Sequence, residues 1–134
     1  MRFVDSSFWI AFTLKRDAHH AESHQIWTSE KTALLTTNHV IGETWTFLRR
    51  RDGHALATTF RERASRSPSL SIVHVDEDLE AEAWRWLRRH DERPYSFVDA
   101  TSFALMRRRR LREALAFDGD FSAAGFTEVR EHSR

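Results

Sequence analysis

The sequence predicts an α/β domain, a mainly parallel sheet of four to five strands flanked by helices, in one unit spanning residues 1–134. Three observations predict it. Short β-leaning runs alternate along the chain with longer stretches of helical periodicity. The connections between successive strands are long enough for the crossovers that parallel pairing requires. The 134 residues contain no repeat, no low-complexity tract and no linker rich in Pro, Gly or Ser, which suits a single core.

Taken in order, "RFV" from Arg2 starts a strand ending at Asp5, and Phe8, Trp9, Ile10, Phe12 and Leu14 predict a short buried helix. His19 to Ser29 reads as helix with sparse apolar positions. "ALLTT" (Ala33 to Thr37) is a second strand, leading to Asn38 as a helix N-cap. The helix that follows runs to about Arg51 and continues as a polar helix over Asp52 to Ser65, until "RSPS" around Pro68 breaks it. "LSIVHV" is the clearest strand, with a long helix after it from about Asp78. Pro94 ends that region, Ser96 caps a helix reaching about Arg109, and "EALAF" (Glu113 to Phe117) is a further strand. "SAAGF" is a helical turn stopped at Gly125, and "FTEV" is a last edge strand.

Composition excludes several function classes. There is no cysteine, so disulfides, thiolate metal sites and cysteine nucleophiles are out, in keeping with a reducing compartment. No apolar run is long enough for a membrane span, and Asp5 interrupts what would be a signal peptide's apolar region, so a soluble cytoplasmic protein with no membrane partner is expected. The formal net charge of +1 gives no global attraction for nucleic acid. Arginine is nevertheless concentrated between Arg85 and Arg112.

Several acids stand at strand or helix ends, where parallel sheets form sites. Asp5 follows the first strand and equally suits a helix cap. Glu43 flanks the apolar stripe of "NHVIGETWTFLRR" and equally suits a solvated edge. Asp99 lies next to an apolar helix face, where a carboxylate needs a partner, and Ser96 to Asp99 also fits a capping box. Asp118 and Asp120 of "AFDGDF" fit a turn with a cap. The set says more than its members. Converging carboxylates at about 4 Å repel by roughly 4 kcal/mol per pair at an effective dielectric near 20. Hard divalent cations such as Mg²⁺ or Mn²⁺ relieve that repulsion and also bind substrate phosphate.

In order and spacing, these segments resemble the PIN-domain ribonucleases, in particular the VapC toxins of bacterial toxin–antitoxin pairs. "FVDSSFWIAF" is similar to the family's opening strand with Asp5, "LLTTNHVIGETWTFLRR" to the helix bearing Glu43, "YSFVDATSFALM" to the motif with Asp99, and "LAFDGDFSAAGFTEV" to the motif with Asp118 and the accessory Asp120. The resemblance implies an endoribonuclease that cuts RNA phosphodiesters with metal-activated water. Asp5, Glu43, Asp99 and Asp118 would be catalytic and hold one or two Mg²⁺ or Mn²⁺ ions, with Asp120 as a further ligand. Ser6, as the hydroxyl after the first acid, and Thr101 would support them. The resemblance also implies a homodimer and a cognate antitoxin that inhibits by inserting a segment at the active groove. Ala116 departs from the pattern, because many members carry a hydroxyl residue there.

Arg107, Arg108, Arg109 and Arg110 suit contact with RNA phosphate or an acidic antitoxin segment, and equally suit a solvated helix C-terminus. His20 and His24 have ligand spacing, but no third zinc ligand is evident. Trp9 with Phe8 and Phe12, and Trp45 nearby, suits a groove for a partner's apolar helix and equally the stacking of single-stranded bases. The alternatives are a catalytically inactive PIN-like module that binds RNA or a partner, and a phosphatase using "DGD". Too little chain follows the latter motif for a phosphatase.

Overall fold

The computed structural model describes residues 1–131, so residues 132–134 of the expected domain lie outside the described residues. Five strands, β1 (Arg2–Val4), β2 (Leu34–Thr37), β3 (Leu70–Val73), β4 (Glu113–Leu115) and β5 (Thr127–Glu128), form one sheet in the order β3-β2-β1-β4-β5. Every neighbouring pair is parallel. The connections hold α1 (Ser6–Thr13), α2 (His20–Ser29), α3 (Asn38–Asp52), α4 (His54–Arg66), α5 (Glu77–Arg89), α6 (Phe97–Arg108) and α7 (Asp120–Ala123).

From β1 the chain winds outward to β2 and β3, then returns across the sheet to β4 and β5 on the other side. The direction of winding therefore reverses between β1 and β4. At such a switch point the two connections leave in opposite directions and open a crevice beyond the strands' carboxyl ends. Phe3 lies opposite Ala114 and Val4 opposite Leu115, and the Asp5 N–H donates to the Leu115 carbonyl at 3.0 Å. This register puts Asp5 and the residues after Leu115 side by side at that crevice.

The core is apolar and aromatic. β1, β2 and β4 are flanked by helices and contribute the buried Phe3, Val4, Leu34, Leu35, Ala114 and Leu115. Residues 99 to 106 of α6 are all buried, as befits a helix with apolar and small residues around its whole circumference. Phe103 stands edge-on to Phe121 at 4.9 Å, and Phe121 also packs on Phe3 at 5.9 Å. Burying a phenylalanine is worth about 1.5–3 kcal/mol, so Phe121 ties the short α7, and the turn before it, to the sheet.

The elements depart from sequence expectation at a few boundaries, each for an identifiable reason. Thr37, rather than Asn38, caps α3 by accepting from the Val40 N–H at 3.1 Å, while Asn38 Oδ1 accepts from the Val75 N–H at 2.8 Å. The expected continuation of α3 into residues 52–65 is a separate helix, because Gly53 at φ 98° turns the chain in a region that disfavours side chains. β4 ends at Leu115 rather than Phe117, since β5 is only two residues long and the chain must leave the sheet to form the acidic turn.

Candidate active site

Asp5, Asp99 and Asp118 converge at the switch point. Each offers a carboxylate oxygen, and these oxygens lie within 4.8 Å of one another. Three elements deliver them: Asp5 follows β1 and caps α1, Asp99 stands in the first turn of α6, and Asp118 follows β4.

Asp5 is 1 % exposed, and its two oxygens differ sharply. Oδ2 accepts from the Ser7 N–H at 3.1 Å and from the Ser7 hydroxyl at 2.7 Å. Oδ1 is buried with no hydrogen-bond partner. The cap uses one oxygen and leaves the other, in a buried place where an unsatisfied acceptor costs free energy. Ser7 also links two motifs, because its hydroxyl oxygen accepts from the Phe117 N–H at 3.0 Å.

Asp99 makes the capping box anticipated for it: Oδ2 accepts from the Ser96 N–H and Ser96 Oγ accepts from the Asp99 N–H, both at 2.9 Å. Asp118 Oδ1 accepts from the Asp120 N–H at 3.0 Å, which is the turn the local sequence suggested. Capping and clustering thus coexist in the same side chains. Burial first, then the neighbouring Asp120 and Asp118 charges, pushes the Asp99 carboxyl up to about 7 against its Ser96 hydrogen bonds. Burial, with the charges of Asp120 and Glu128, pushes Asp118 up to about 6. Asp5 is raised well above the usual carboxylate range, chiefly by burial and then by Asp118.

The remaining expected residues are placed as follows. Glu43, on α3, stands outside the group of three and is accessible from solvent, although crowding raises its carboxyl against an opposing hydrogen bond from Ser6. Ser6 therefore faces Glu43, and the hydroxyl that orients Asp5 belongs to Ser7. The Thr101 hydroxyl donates to the Val98 carbonyl at 2.8 Å, inside its own helix. Asp120 is not in the cluster; its Oδ1 accepts from Arg93 Nε at 2.6 Å. Arg107, Arg108, Arg109 and Arg110 are exposed at the opposite end of α6 from Asp99. Eight residues at 1.5 Å each separate Asp99 from Arg107 by about 12 Å along the axis. Arg107 lies over the Trp86 ring and Arg108 pairs with Glu82, so the run builds no basic wall beside the acids.

One basic group absent from the sequence expectation, Arg93, stands nearer. Arg93 Nη2 donates to the Asp118 carbonyl at 3.1 Å. Arg50 and Arg51 line an open groove of about 830 Å³ that also includes His39, Glu43, Phe47 and Val98. The helical spacing of Glu43, Phe47, Arg50 and Arg51 carries that signal, whereas nothing local marks Arg93. The histidine pair has a structural role: His20 Nδ1 donates to the Ala11 carbonyl at 2.8 Å and His24 Nε2 to the Phe12 carbonyl at 3.0 Å, closing the end of α1.

Ser7→Ala removes the donor to Asp5 Oδ2 and the acceptor for the Phe117 N–H. An ordinary hydrogen bond contributes about 0.5–1.5 kcal/mol net and both Ser7 hydroxyl bonds are lost, so thermal melting should show a loss of about 1–3 kcal/mol. An unchanged melting temperature would mean that Ser7 does not brace Asp5.

Comparison with known proteins decides the family. The model of the PIN domain matches residues 2–127. The chain belongs to the PIN domain family. Within it the chain is of the VapC type. It is 54% identical over 130 residues to the 23S rRNA-specific endonuclease VapC20 of Mycobacterium tuberculosis, covering 97% of this chain and 98% of that protein. It is 27% identical over 124 residues to the VapC ribonuclease of Archaeoglobus fulgidus, covering 89% and 78% of the two chains. The crystal structure of VapC20, described as a sarcin-ricin loop cleaving toxin, superposes with a TM-score of 0.92 over 98% of this chain and 100% of that one. A toxin–antitoxin complex from Klebsiella pneumoniae shares the fold at 13% identity, with a TM-score of 0.59 over 85% and 83%.

The PIN site has the donor set of a divalent-metal centre. The groups that could hold a cation are the carboxylates of Asp5, Asp99 and Asp118, and Asp5 also carries a buried, unpartnered oxygen. Hard divalent cations take such a set. Among the described residues no helix is long and apolar enough to cross a membrane.

Proposed function

We propose that this PIN domain is a Mg²⁺- or Mn²⁺-dependent endoribonuclease toxin, acting on 23S rRNA and held in check by a cognate antitoxin. The observation that carries the reading is the convergence of Asp5, Asp99 and Asp118 within 4.8 Å with Asp5 Oδ1 left unpartnered. The substrate class rests on 54% identity over 97% of the chain to a protein named as a 23S rRNA-specific endonuclease.

Asp5, Asp99 and Asp118 would hold the ion, with Glu43 across the crevice completing the acidic lining. When bound, a divalent ion neutralises these acids and lends positive charge to the reacting phosphate and its attacking oxygen. The chain's own work is placement. Ser7 fixes the rotamer of Asp5, and the capping box fixes Asp99. Arg50 and Arg51 give RNA phosphates a basic path along the groove that contains Glu43.

For the antitoxin we infer a second surface. Trp9, Phe12, Trp27, Leu56 and Phe60 line a groove of about 490 Å³ between α1, α2 and α4, with Lys15 and Arg63 at its margin. Phe8 is fully buried and does not line it, and Trp45 lines a different hollow beside His74. Exposed Trp84, stacked on Phe97 at 4.3 Å, supports a homodimer. An rRNA substrate and a chain without cysteine are consistent with a cytoplasmic location, and residues 1–134 are read as one nuclease domain.

Purified protein should cut a 23S rRNA fragment containing the sarcin-ricin loop when Mg²⁺ or Mn²⁺ is present. Chelation should stop cleavage and added metal should restore it. Cleavage that persists undiminished under chelation would refute the metal-dependent reading.

A further inference from the structure

We propose that Glu128 and Arg130 act as positioning residues that hold Asp118 in the carboxylate cluster. This inference rests on the nuclease reading above and assigns a role to an ion pair between the buried Glu128 and the exposed Arg130 that the reading leaves unused.

Asp118 lies in the irregular segment between β4 and α7, where no sheet or helix ladder restrains its backbone. Two side chains from the segment ending the sheet supply that restraint. Glu128, on β5, has a side chain only 3% exposed. One of its oxygens accepts from the Gly119 N–H at 3.3 Å and the other from the Ser122 N–H at 3.1 Å. Arg130 Nη2 donates to Glu128 at 3.1 Å, while its Nη1 donates to the Ala116 carbonyl at 2.7 Å. The pair therefore grips the backbone two residues before Asp118, one residue after it, and again at α7. The Arg130 guanidinium also lies 4.8 Å from the centre of the Phe117 ring, covering the one intervening residue.

Electrostatics favours this assignment over a merely stabilising one. A buried carboxylate beside the Asp118 segment adds to the negative charge near the acids. Burial of such a group costs free energy unless its partners satisfy it. All the partners named here are backbone groups of the Asp118 segment or Arg130, so the return is geometric. Gly119 takes the left-handed conformation, φ 82°, in which its N–H meets Glu128 while Asp118 remains at the crevice.

Glu128→Gln is the test, because glutamine keeps the shape and one acceptor but turns an NH₂ toward a backbone N–H or Arg130. Groups behind metal ligands change metal affinity by about 10–100-fold when altered, so Mn²⁺ affinity by calorimetry should fall about tenfold. Amide exchange at Gly119 and Ser122, followed by NMR, should quicken by a similar factor while Phe3 in β1 is unchanged. With RNA, kcat should fall and KM stay within twofold. Glu113→Gln, in the surface pair with Arg2, is the control and should change none of these. Should Glu128→Gln fail to fold, Arg130→Met leaves both amide bonds of Glu128 and should still weaken Mn²⁺ binding. Unchanged exchange and Mn²⁺ affinity in the folded variant would overturn the proposal. If the unmodified protein neither binds Mn²⁺ nor cuts RNA, the nuclease reading fails, and amide exchange alone then decides whether Glu128 holds the segment.

Discussion

Asp5→Asn is expected to abolish RNA cleavage while raising the melting temperature of the metal-free protein. Both effects follow from the unequal surroundings of the two oxygens. The asparagine carbonyl can replace Oδ2 and still accept from the Ser7 N–H and hydroxyl. Its NH₂ then occupies the place of the unpartnered Oδ1, on a side chain that has an atom within 4.8 Å of oxygens of Asp99 and Asp118. A repulsive contact becomes a donor to two carboxylates. For ligand oxygens within 4.8 Å, an effective dielectric near 20 makes each ionised pair unfavourable by about 3–4 kcal/mol. Partial protonation and solvent reduce this, so a stabilisation of about 1–2 kcal/mol at pH 8 is expected, a shift of roughly 3–6 °C for a domain of this size. The same substitution places N–H groups where a cation must bind. Cleavage should fall by at least about a thousandfold, as for loss of a principal charge-stabilising group. Parallel melting curves and cleavage time courses check the pair. A variant that is less stable and still active would contradict the assignment of Asp5.

Mn²⁺ affinity is expected to rise steeply between pH 6 and pH 8, with protons released on binding. The Asp99 carboxyl is pushed up to about 7 and Asp118 to about 6 in the folded metal-free protein, and burial also holds Asp5 well above the usual carboxylate range. The sign for stability follows. Between about pH 4 and pH 7 the folded chain keeps protons that the unfolded chain has released, so these groups stabilise the fold at low pH and that contribution is lost as pH rises through their folded values. A divalent ion needs the ionised carboxylates and therefore competes with those protons. With one to two protons displaced, the gain from pH 6 to pH 8 should be about 10–1,000-fold. Calorimetry in buffers of different ionisation enthalpy measures affinity and proton release together. A flat profile with no proton release would show that these carboxylates are already ionised. Asp99→Asn should remove part of the slope, because it removes the group that titrates near 7.

The legible part of the site was the part written into local pattern. Asp5 and Asp99 stand at the starts of helices whose period is visible in the chain, Asp118 follows a legible strand, and the capping box of Ser96 and Asp99 is a contiguous motif. Asp120 shows the limit of such reasoning: its spacing from Asp118 gives no sign of Arg93, 27 residues earlier, whose Nε donates to Asp120 Oδ1. Ser6 and Ser7 are adjacent hydroxyls that sequence alone could not distinguish, and the first turn of α1 sends one toward Glu43 and the other to Asp5. The distance of the arginine run from the acids was also legible in the sequence. A helix starting at Ser96 already places Arg107 a helix length from Asp99, whatever the fold.

By itself the sequence determined the alternation of strands and helices, the absence of thiol chemistry, and the presence of acids at strand ends. Those features depend on neighbours a few residues apart, where backbone geometry and side-chain period act directly. Only the tertiary structure decided that β1 lies between β2 and β4, which makes the ends of β1 and β4 a crevice. It also decided which oxygen of Asp5 is left without a partner, and that the Asp118 segment is gripped by Arg93 on one side and by Glu128 and Arg130 on the other. The physical reason is distance along the chain. The hydroxyl of Ser7 and the N–H of Phe117 meet across 110 residues, and contacts of that kind arise from strand order and packing rather than from local preference.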